Sequence, residues 1–335
     1  MIALPAPRTP DPMAAPTLRW GILGTGWIAE RFAGALRAHT RQDVRAVGSR
    51  SRPSADRFAA TVGAPTAHGS YAALAADPEI DVIYVATPHH LHHEHASLAI
   101  AAGKHVLIEK PVAVSEAQAQ DIADRAAAAG VFCMEALWTL FLPKYDVLRQ
   151  VCADMVIDSV VADMGEYFTP DHRIFRADLA GGPIFDLATY PLTLALWALG
   201  APETVAALGT PAPNGINGQL AIMLTGADGG LAALHCSILG ETPTRASLVG
   251  ADRTISLDGP FYRPGGFTVT SRDGGRVQYD EDRVGHEGGL HFQAAEVARR
   301  ITAGETGSPL RPMVDSVTLL RVMDAVRAQV GIPLP

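Results

Sequence analysis

Cysteine is scarce in this chain of 335 residues: Cys133, Cys152 and Cys236 stand far apart, with no Cys-x-x-Cys pair. That argues against a disulfide framework and a zinc site, and fits a reducing compartment. Positive charge is short as well. Lys and Arg number 27 against 35 Asp and Glu, a net charge of -8, so nothing recommends a nucleic acid or a membrane surface as partner. Charged residues make up only 19% of the chain and hydrophobic ones 48%, a balance that suits a compact soluble protein of two domains. The opening residues 1–16 are rich in Pro and Ala and lack a basic region followed by an apolar core. They read as a disordered tail, or an arm laid over a neighbouring subunit, and as neither a signal peptide nor a membrane span. A cytoplasmic location is the resulting expectation.

From Leu18 to about Leu137, short apolar runs alternate with amphipathic, alanine-rich stretches. The runs are Leu18–Leu23, Val44–Val47, Val82–Ala86, Val106–Ile108 and Val131–Met134. Continuous apolar strands separated by helices indicate a parallel sheet covered on both faces, here a Rossmann-like doubly wound α/β domain over 17–140. Thr87-Pro88 reads as an N-cap followed by Pro at the first helical position, Ser115 as a second N-cap, and Gly103 and Gly130 as helix ends. Beyond Pro143 the pattern changes. Helix Pro143–Ala153, strand Val156–Phe168 and a long apolar helix Gly182–Leu199 precede six strand candidates between Glu203 and Thr270, several separated by turns such as Asn214-Gly215. This predicts an α+β domain over 141–311 with an open, largely antiparallel sheet. A homodimer through the outer face would cover that sheet. Helices near Leu290–Ile301 and Met313–Gln329 close the chain, the last (312–335) expected to pack back on the first domain.

Gly24-Thr25-Gly26-Trp27-Ile28-Ala29 follows the first apolar run directly and opens a helix. In Gly-x-Gly-x-x-Ala, one glycine permits the tight turn, the next admits a phosphate close to backbone, and a small third residue lets helix and strand approach. Free N–H groups at the helix start then face a dinucleotide's pyrophosphate. The second strand ends Val47-Gly48-Ser49-Arg50-Ser51-Arg52, without the carboxylate that accepts from an NAD ribose. Arg50 can pair with a 2′-phosphate while Ser49 donates to it, so NADP(H) is the preferred cofactor and NAD(H) the alternative.

Thr87-Pro88-His89-His90-Leu91-His92-His93-Glu94-His95 offers histidines at metal-binding spacing, but no cysteine is near and the segment follows the fourth strand, beside the nicotinamide half of such a cofactor. His89 and His92 are expected to line the pocket, His90, His93 and His95 to lie on the surface, and no metal to be bound. Glu109-Lys110-Pro111 ends another apolar run. The strand delivers the Lys110 ammonium to the sheet's ligand edge, and Pro111 fixes the chain there, with a cis bond open to it. Further on, Asp186 and Tyr190 are spaced i,i+4 after the glycine turn Gly181-Gly182 and would share a helix face. A buried Asp needs a partner, and Lys110 is the obvious one. Arg173 and Phe175, just before that turn, either reach substrate or make loop contacts.

These motifs resemble the Gfo/Idh/MocA oxidoreductases from about Leu18 to Gly331. The resemblance rests on Gly24-x-Gly26-x-x-Ala29, Thr87-Pro88-His89-x-x-His92, the run Ala102 to Pro111, and Gly181-Gly182-x-x-x-Asp186-x-x-x-Tyr190. Met134-Glu135-Ala136-Leu137-Trp138-Thr139 and the ending Ser308-Pro309 … Arg327 look like the branch that holds dimeric trans-dihydrodiol dehydrogenase and NADP-dependent D-xylose dehydrogenase. The resemblance implies that Lys110, Asp186 and Tyr190 form the catalytic set, that Thr87, Pro88 and Glu109 belong to the cofactor site, and that Trp138 lies near substrate. Three positions depart from the pattern: Leu140 replaces an Arg, Pro183 a glycine and Ala188 a glycine. The function implied is NADP-dependent hydride transfer to or from a sugar, polyol or cyclic diol. The other readings are a nucleotide-binding sensor without turnover and a redox-neutral, NAD-dependent glycoside hydrolase.

Overall fold

The computed structural model describes residues 4–282 and 288–334. The chain divides into two compact units that do not follow sequence order: one comprises 9–142 and 285–317, the other 1–8, 143–284 and 318–335.

The first unit is the expected doubly wound domain. Its strands are β1 (Arg19–Leu23), β2 (Asp43–Gly48), β3 (Thr66–His68), β4 (Val82–Val85), β5 (His105–Glu109) and β6 (Cys133–Ala136), all parallel in the order β3-β2-β1-β4-β5-β6. Helices α1 (Trp27–His39), α2 (Arg52–Val62), α3 (Tyr71–Ala75), α4 (His92–Ala101) and α5 (Glu116–Ala129) connect them. Register puts Leu23, Val85 and Ile108 level on β1, β4 and β5. The turns that leave these strands, at Gly24, Thr87 and Lys110, therefore share the sheet's carboxyl edge. Three helix signals hold: Ser115 caps α5 by accepting from Gln118 N, Gly130 ends it in the left-handed conformation, and Gly103, with φ of 72°, follows the end of α4. Thr87 does not cap. A 3-10 turn, His89–Leu91, intervenes before α4 and leaves the Thr87 hydroxyl beside His95. β3 was not anticipated; it is a three-residue edge strand with no apolar run.

Residues 4–16 are not a loose tail. Ala15 is buried against Ala295 and Ala298 of α9 (Leu290–Thr302), and Arg299 of that helix donates to the Pro10 and Asp11 carbonyls at 3.3 and 2.7 Å. Small apolar side chains and a guanidinium that satisfies backbone oxygens suffice to hold a Pro-rich strap.

The second unit carries an eight-stranded sheet in the order β14-β13-β12-β11-β7-β10-β9-β8, antiparallel except for the β7–β10 pair. The strands are β7 (Ser159–Gly165), β8 (Pro202–Pro211), β9 (Asn217–Gly226), β10 (Leu231–Ser237), β11 (Ala246–Val249), β12 (Arg253–Leu257), β13 (Phe267–Ser271) and β14 (Arg276–Tyr279). The period-2 rule is plain in one transverse row, Val205, Leu224, Ala232, Val160, Leu248, Ile255, Val269 and Val277, which is apolar throughout and faces inward. The adjacent row, Ala206, Met223, Ala233, Val161, Ser247, Ser256, Thr268 and Gln278, faces out and contains no charge.

Two expectations for this unit need correction. The helix read as Gly182–Leu199 is two: α7 (Pro183–Asp186) and α8 (Thr189–Leu199), after α6 (Pro143–Cys152). Pro191 explains the break. In the first turn of α8 its missing N–H does no harm, but its ring excludes the Leu187 carbonyl from a continuous helix. The final helix, α10 (Met313–Val330), groups with this unit from Thr318 onward. Gln329 there accepts from Ala207 N at 2.8 Å and donates to Val205 O at 2.9 Å, which satisfies part of the β8 edge.

Gly24 has φ of 113°, and a Cβ placed on it would lie 2.6 Å from the Ala86 carbonyl oxygen. Gly24→Ala therefore has both backbone strain and a clash with an unyielding atom. It is expected to lower stability by about 2 kcal/mol, read as a reduced urea midpoint at unchanged slope; an unmoved midpoint would show that the turn relaxes freely.

Candidate active site

At the carboxyl edge of the parallel sheet, Gly24 makes the close turn and Gly26 is the N-cap of α1, with open space where a Cβ would point. The first N–H groups of α1 are thus presented beside open space at Gly26, the arrangement a pyrophosphate needs. Thr25 and Ile28 are partly exposed at this turn, and Trp27 is 56% exposed. Ser49 is buried with its N–H donated to His68 O, whereas Arg50 is exposed at the end of β2, with its charge felt by Tyr71 and His95. The residues fit a dinucleotide: the cradle, the helix terminus and a cation where the ribose end would lie all belong to one unit.

Lys110 is partly exposed and leaves β5 with its backbone N–H donated to Glu109 Oε2 at 3.1 Å. Glu109 itself is turned inward. Tyr84 OH donates to its Oε1, and Tyr84 stacks on Phe32 with ring centroids 3.9 Å apart. Burial pushes the Glu109 carboxyl up to about 7, against the opposing pull of the Tyr84 hydrogen bond and the Lys110 charge. The Lys110–Pro111 bond is cis.

The histidine segment differs from expectation. His92 does not line a pocket: it is fully buried, with Nδ1 2.7 Å from Pro111 O and Nε2 2.8 Å from Thr87 O. Burial lowers its pKa to about 4, so at neutral pH the ring is neutral. His95 is not a surface residue either. It is buried, 3.0 Å from the Thr87 hydroxyl and edge-on to Tyr71. His89 is buried and edge-on to His92, while His93 bonds Asp121 at 2.7 Å. The side chains serve separate partners, and among the described residues no three His, Cys, Asp or Glu groups converge as metal ligands. Trp138 is buried, packed so closely on Gly289 that a Cβ there would lie 2.2 Å from the indole.

In the second unit, Asp186 at the end of α7 and Tyr190 in the first turn of α8 are both buried. Because the helix is interrupted between them, their i,i+4 spacing does not itself align them. Arg173 supplies a cation to Asp186, with Nη2 2.8 Å from Oδ1. Phe175 lines a cavity of about 550 Å³ with Phe185, Asn214, Ile216, Asn217 and Ile332. Sequence reasoning missed Tyr262. Its ring stacks on Tyr190 with centroids 4.3 Å apart, and the Arg263 guanidinium lies 5.2 Å from the Tyr262 ring centre. The run Phe261-Tyr262-Arg263 gives no sign of this, because contact with Tyr190 depends on how two distant segments fold together.

Comparison with known proteins agrees with the architecture. Residues 18–137 match the oxidoreductase family model for the Gfo/Idh/MocA NAD-binding Rossmann fold, and 156–256 match the Gfo/Idh/MocA C-terminal domain. A trans-1,2-dihydrobenzene-1,2-diol dehydrogenase from Bos taurus is 31% identical over 332 residues, 95% of this chain and 98% of the relative. Among solved structures, a 3-ketoreductase from Actinomadura kijaniata in complex with NADP and TDP-benzene superposes with a TM-score of 0.82 at 25% identity, covering 94% of this chain and 98% of that one. A levoglucosan dehydrogenase in complex with NADH and levoglucosan gives 0.85 at 18% identity over 94% and 98% of the two chains, a likeness of fold. Strand order, glycine turn, Lys110 edge and relatives along nearly the whole length agree: the chain belongs to the Gfo/Idh/MocA family and is an NAD(P)-dependent oxidoreductase.

Proposed function

We propose that this protein uses NADP(H), in preference to NAD(H), to interconvert a hydroxyl and a carbonyl on a sugar, polyol or cyclic diol, with Lys110, Asp186 and Tyr190 as its catalytic residues. The observation that carries the reading is Lys110 at the carboxyl end of β5, on the same sheet edge as the Gly24–Gly26 cradle. The dihydrodiol dehydrogenase relative and the ketoreductase and levoglucosan dehydrogenase neighbours support the substrate class. Arg50 in place of a carboxylate supports NADP.

Gly24, Thr25, Gly26, Trp27 and Ile28 hold the pyrophosphate, Ser49 and Arg50 the 2′-phosphate, and Thr87, Pro88 and His89 flank the nicotinamide half. When bound, the nicotinamide supplies or accepts hydride. The chain's own task is the proton. An unperturbed tyrosine hydroxyl has a pKa of about 10, roughly 4 kcal/mol from ionising at neutral pH, and Tyr190 is the group proposed to carry the proton. In this reading the Lys110 ammonium is the positive charge that favours the ionised phenol. Arg173 holds Asp186, and Trp138, Arg173 and Phe175 meet the substrate. A homodimer forms through the outer face of the eight-stranded sheet, whose row from Ala206 to Gln278 carries no charge and where Leu208 is 78% and Val161 52% exposed.

Lys110→Met is expected to lower kcat at least 100-fold while NADPH binding stays within about tenfold, and Tyr190→Phe to be comparably damaging. Steady-state rates on D-xylose and trans-cyclohexane-1,2-diol, with fluorescence titration of NADPH, check both; an unimpaired Lys110→Met enzyme removes Lys110 from the mechanism. Arg50→Glu is expected to weaken NADPH at least tenfold and NADH by less than threefold, and equal losses would count against 2′-phosphate recognition. Cofactor identity is also readable by mass spectrometry of purified protein, where tightly retained NAD would favour the redox-neutral hydrolase. Val161→Glu is expected to shift the light-scattering mass from dimer to monomer, and an unchanged dimer would put the interface elsewhere.

A further inference from the structure

Beyond Lys110 the chain is gripped at both ends of a single peptide unit. The Pro111 carbonyl faces His92 Nδ1 at 2.7 Å, and the Val112 N–H donates to Glu135 Oε1 at 2.8 Å. Both side chains are fully buried. Each is fixed by further contacts. His92 Nε2 meets Thr87 O at 2.8 Å, which links the turn after β4 to the turn after β5. Glu135 Oε2 takes Arg311 Nε at 2.9 Å, Arg311 Nη2, and the Ser316 hydroxyl at 2.7 Å. Before Lys110, its own N–H is held by Glu109, which Tyr84 holds in turn.

We propose that His92 and Glu135 are positioning residues: they clamp the Pro111–Val112 peptide and so aim the Lys110 side chain, an inference that rests on the catalytic role proposed for Lys110. A lysine on a flexible four-carbon stem gains direction only if its backbone is fixed, and a displacement of about 1 Å in such a group can cost 100-fold in rate. The buried ring and carboxylate reach no solvent, so their polar atoms serve structure at this edge and not ligand contact. A neutral His92 has one N–H for two carbonyls, and the clamp requires it at Nδ1, donated to Pro111 O, with Nε2 only a close neighbour of Thr87 O.

Two substitutions of similar polarity separate the bonds. The amide nitrogen of His92→Asn occupies the place of Nδ1 and keeps the donor to Pro111; that of His92→Gln occupies the place of Nε2 and loses it. Assayed well below both melting temperatures with D-xylose or trans-cyclohexane-1,2-diol and NADP(H), His92→Asn should keep kcat within about fivefold. His92→Gln should lose about 10- to 100-fold, with its NADPH Kd within about fivefold of wild type. In a Lys110→Met background His92→Gln should cause no further loss, because it acts through the lysine. Equal kcat for the two variants, the reverse order, or an added loss in the Lys110→Met background would overturn the inference. If neither variant melts cooperatively, hydrogen exchange of the Val112 amide in the wild-type enzyme decides, slow exchange being expected and exchange at the rate of an exposed amide overturning it. A Lys110→Met enzyme with normal kcat, or no turnover of either substrate by the wild type, would instead refute the proposed function.

Discussion

Glu135 has no access to water, and much of the first unit is arranged so that it can keep its carboxylate buried. Arg311 comes from far along the chain to pair with it through two nitrogens, and Ser316 and the Val112 N–H occupy its remaining acceptor sites. An unpaired charge at such a site costs several kcal/mol, and breaking a buried pair by removing one member is typically worth about 3–5 kcal/mol. The contact therefore selects one arrangement of three segments: the turn after β5, the end of β6, and the stretch 311–316. That constraint accounts for the grouping of 311–316 with the Rossmann unit although the 142 residues 143–284 of the other unit intervene in sequence.

The parts legible in the sequence are those governed by local rules. Apolar runs located five of the six parallel strands, because a strand covered on both faces has no polar side. The glycine turn and Lys110 were readable since each directly ends such a run. Alternation located most of the second sheet, and the aligned inner row from Val205 to Val277 shows how closely the period-2 rule is obeyed. Thr66–His68 and Arg276–Tyr279 were missed because short edge strands bury too little to leave a pattern.

The rest was hidden for a different reason. His92 faces two backbone carbonyls, and backbone carbonyls carry no residue code; nothing in a histidine-rich stretch says which ring faces inward. The pairing of Glu135 with Arg311, and the stacking of Tyr262 on Tyr190, join positions that only the finished fold brings together. Pro191 is the exception. The interruption between α7 and α8 was written in the sequence, and the apolar run around it masked the signal.

That interruption has a consequence for how such a site can change. Asp186 and Tyr190 sit on separate short rods joined at Leu187–Ala188, so a change of bend at this joint can re-aim the carboxylate and leave the phenol where it is. In an unbroken helix the two groups would turn as one body. With Ala188 at the joint, substitutions that alter the bend would bear on the carboxylate and the phenol separately.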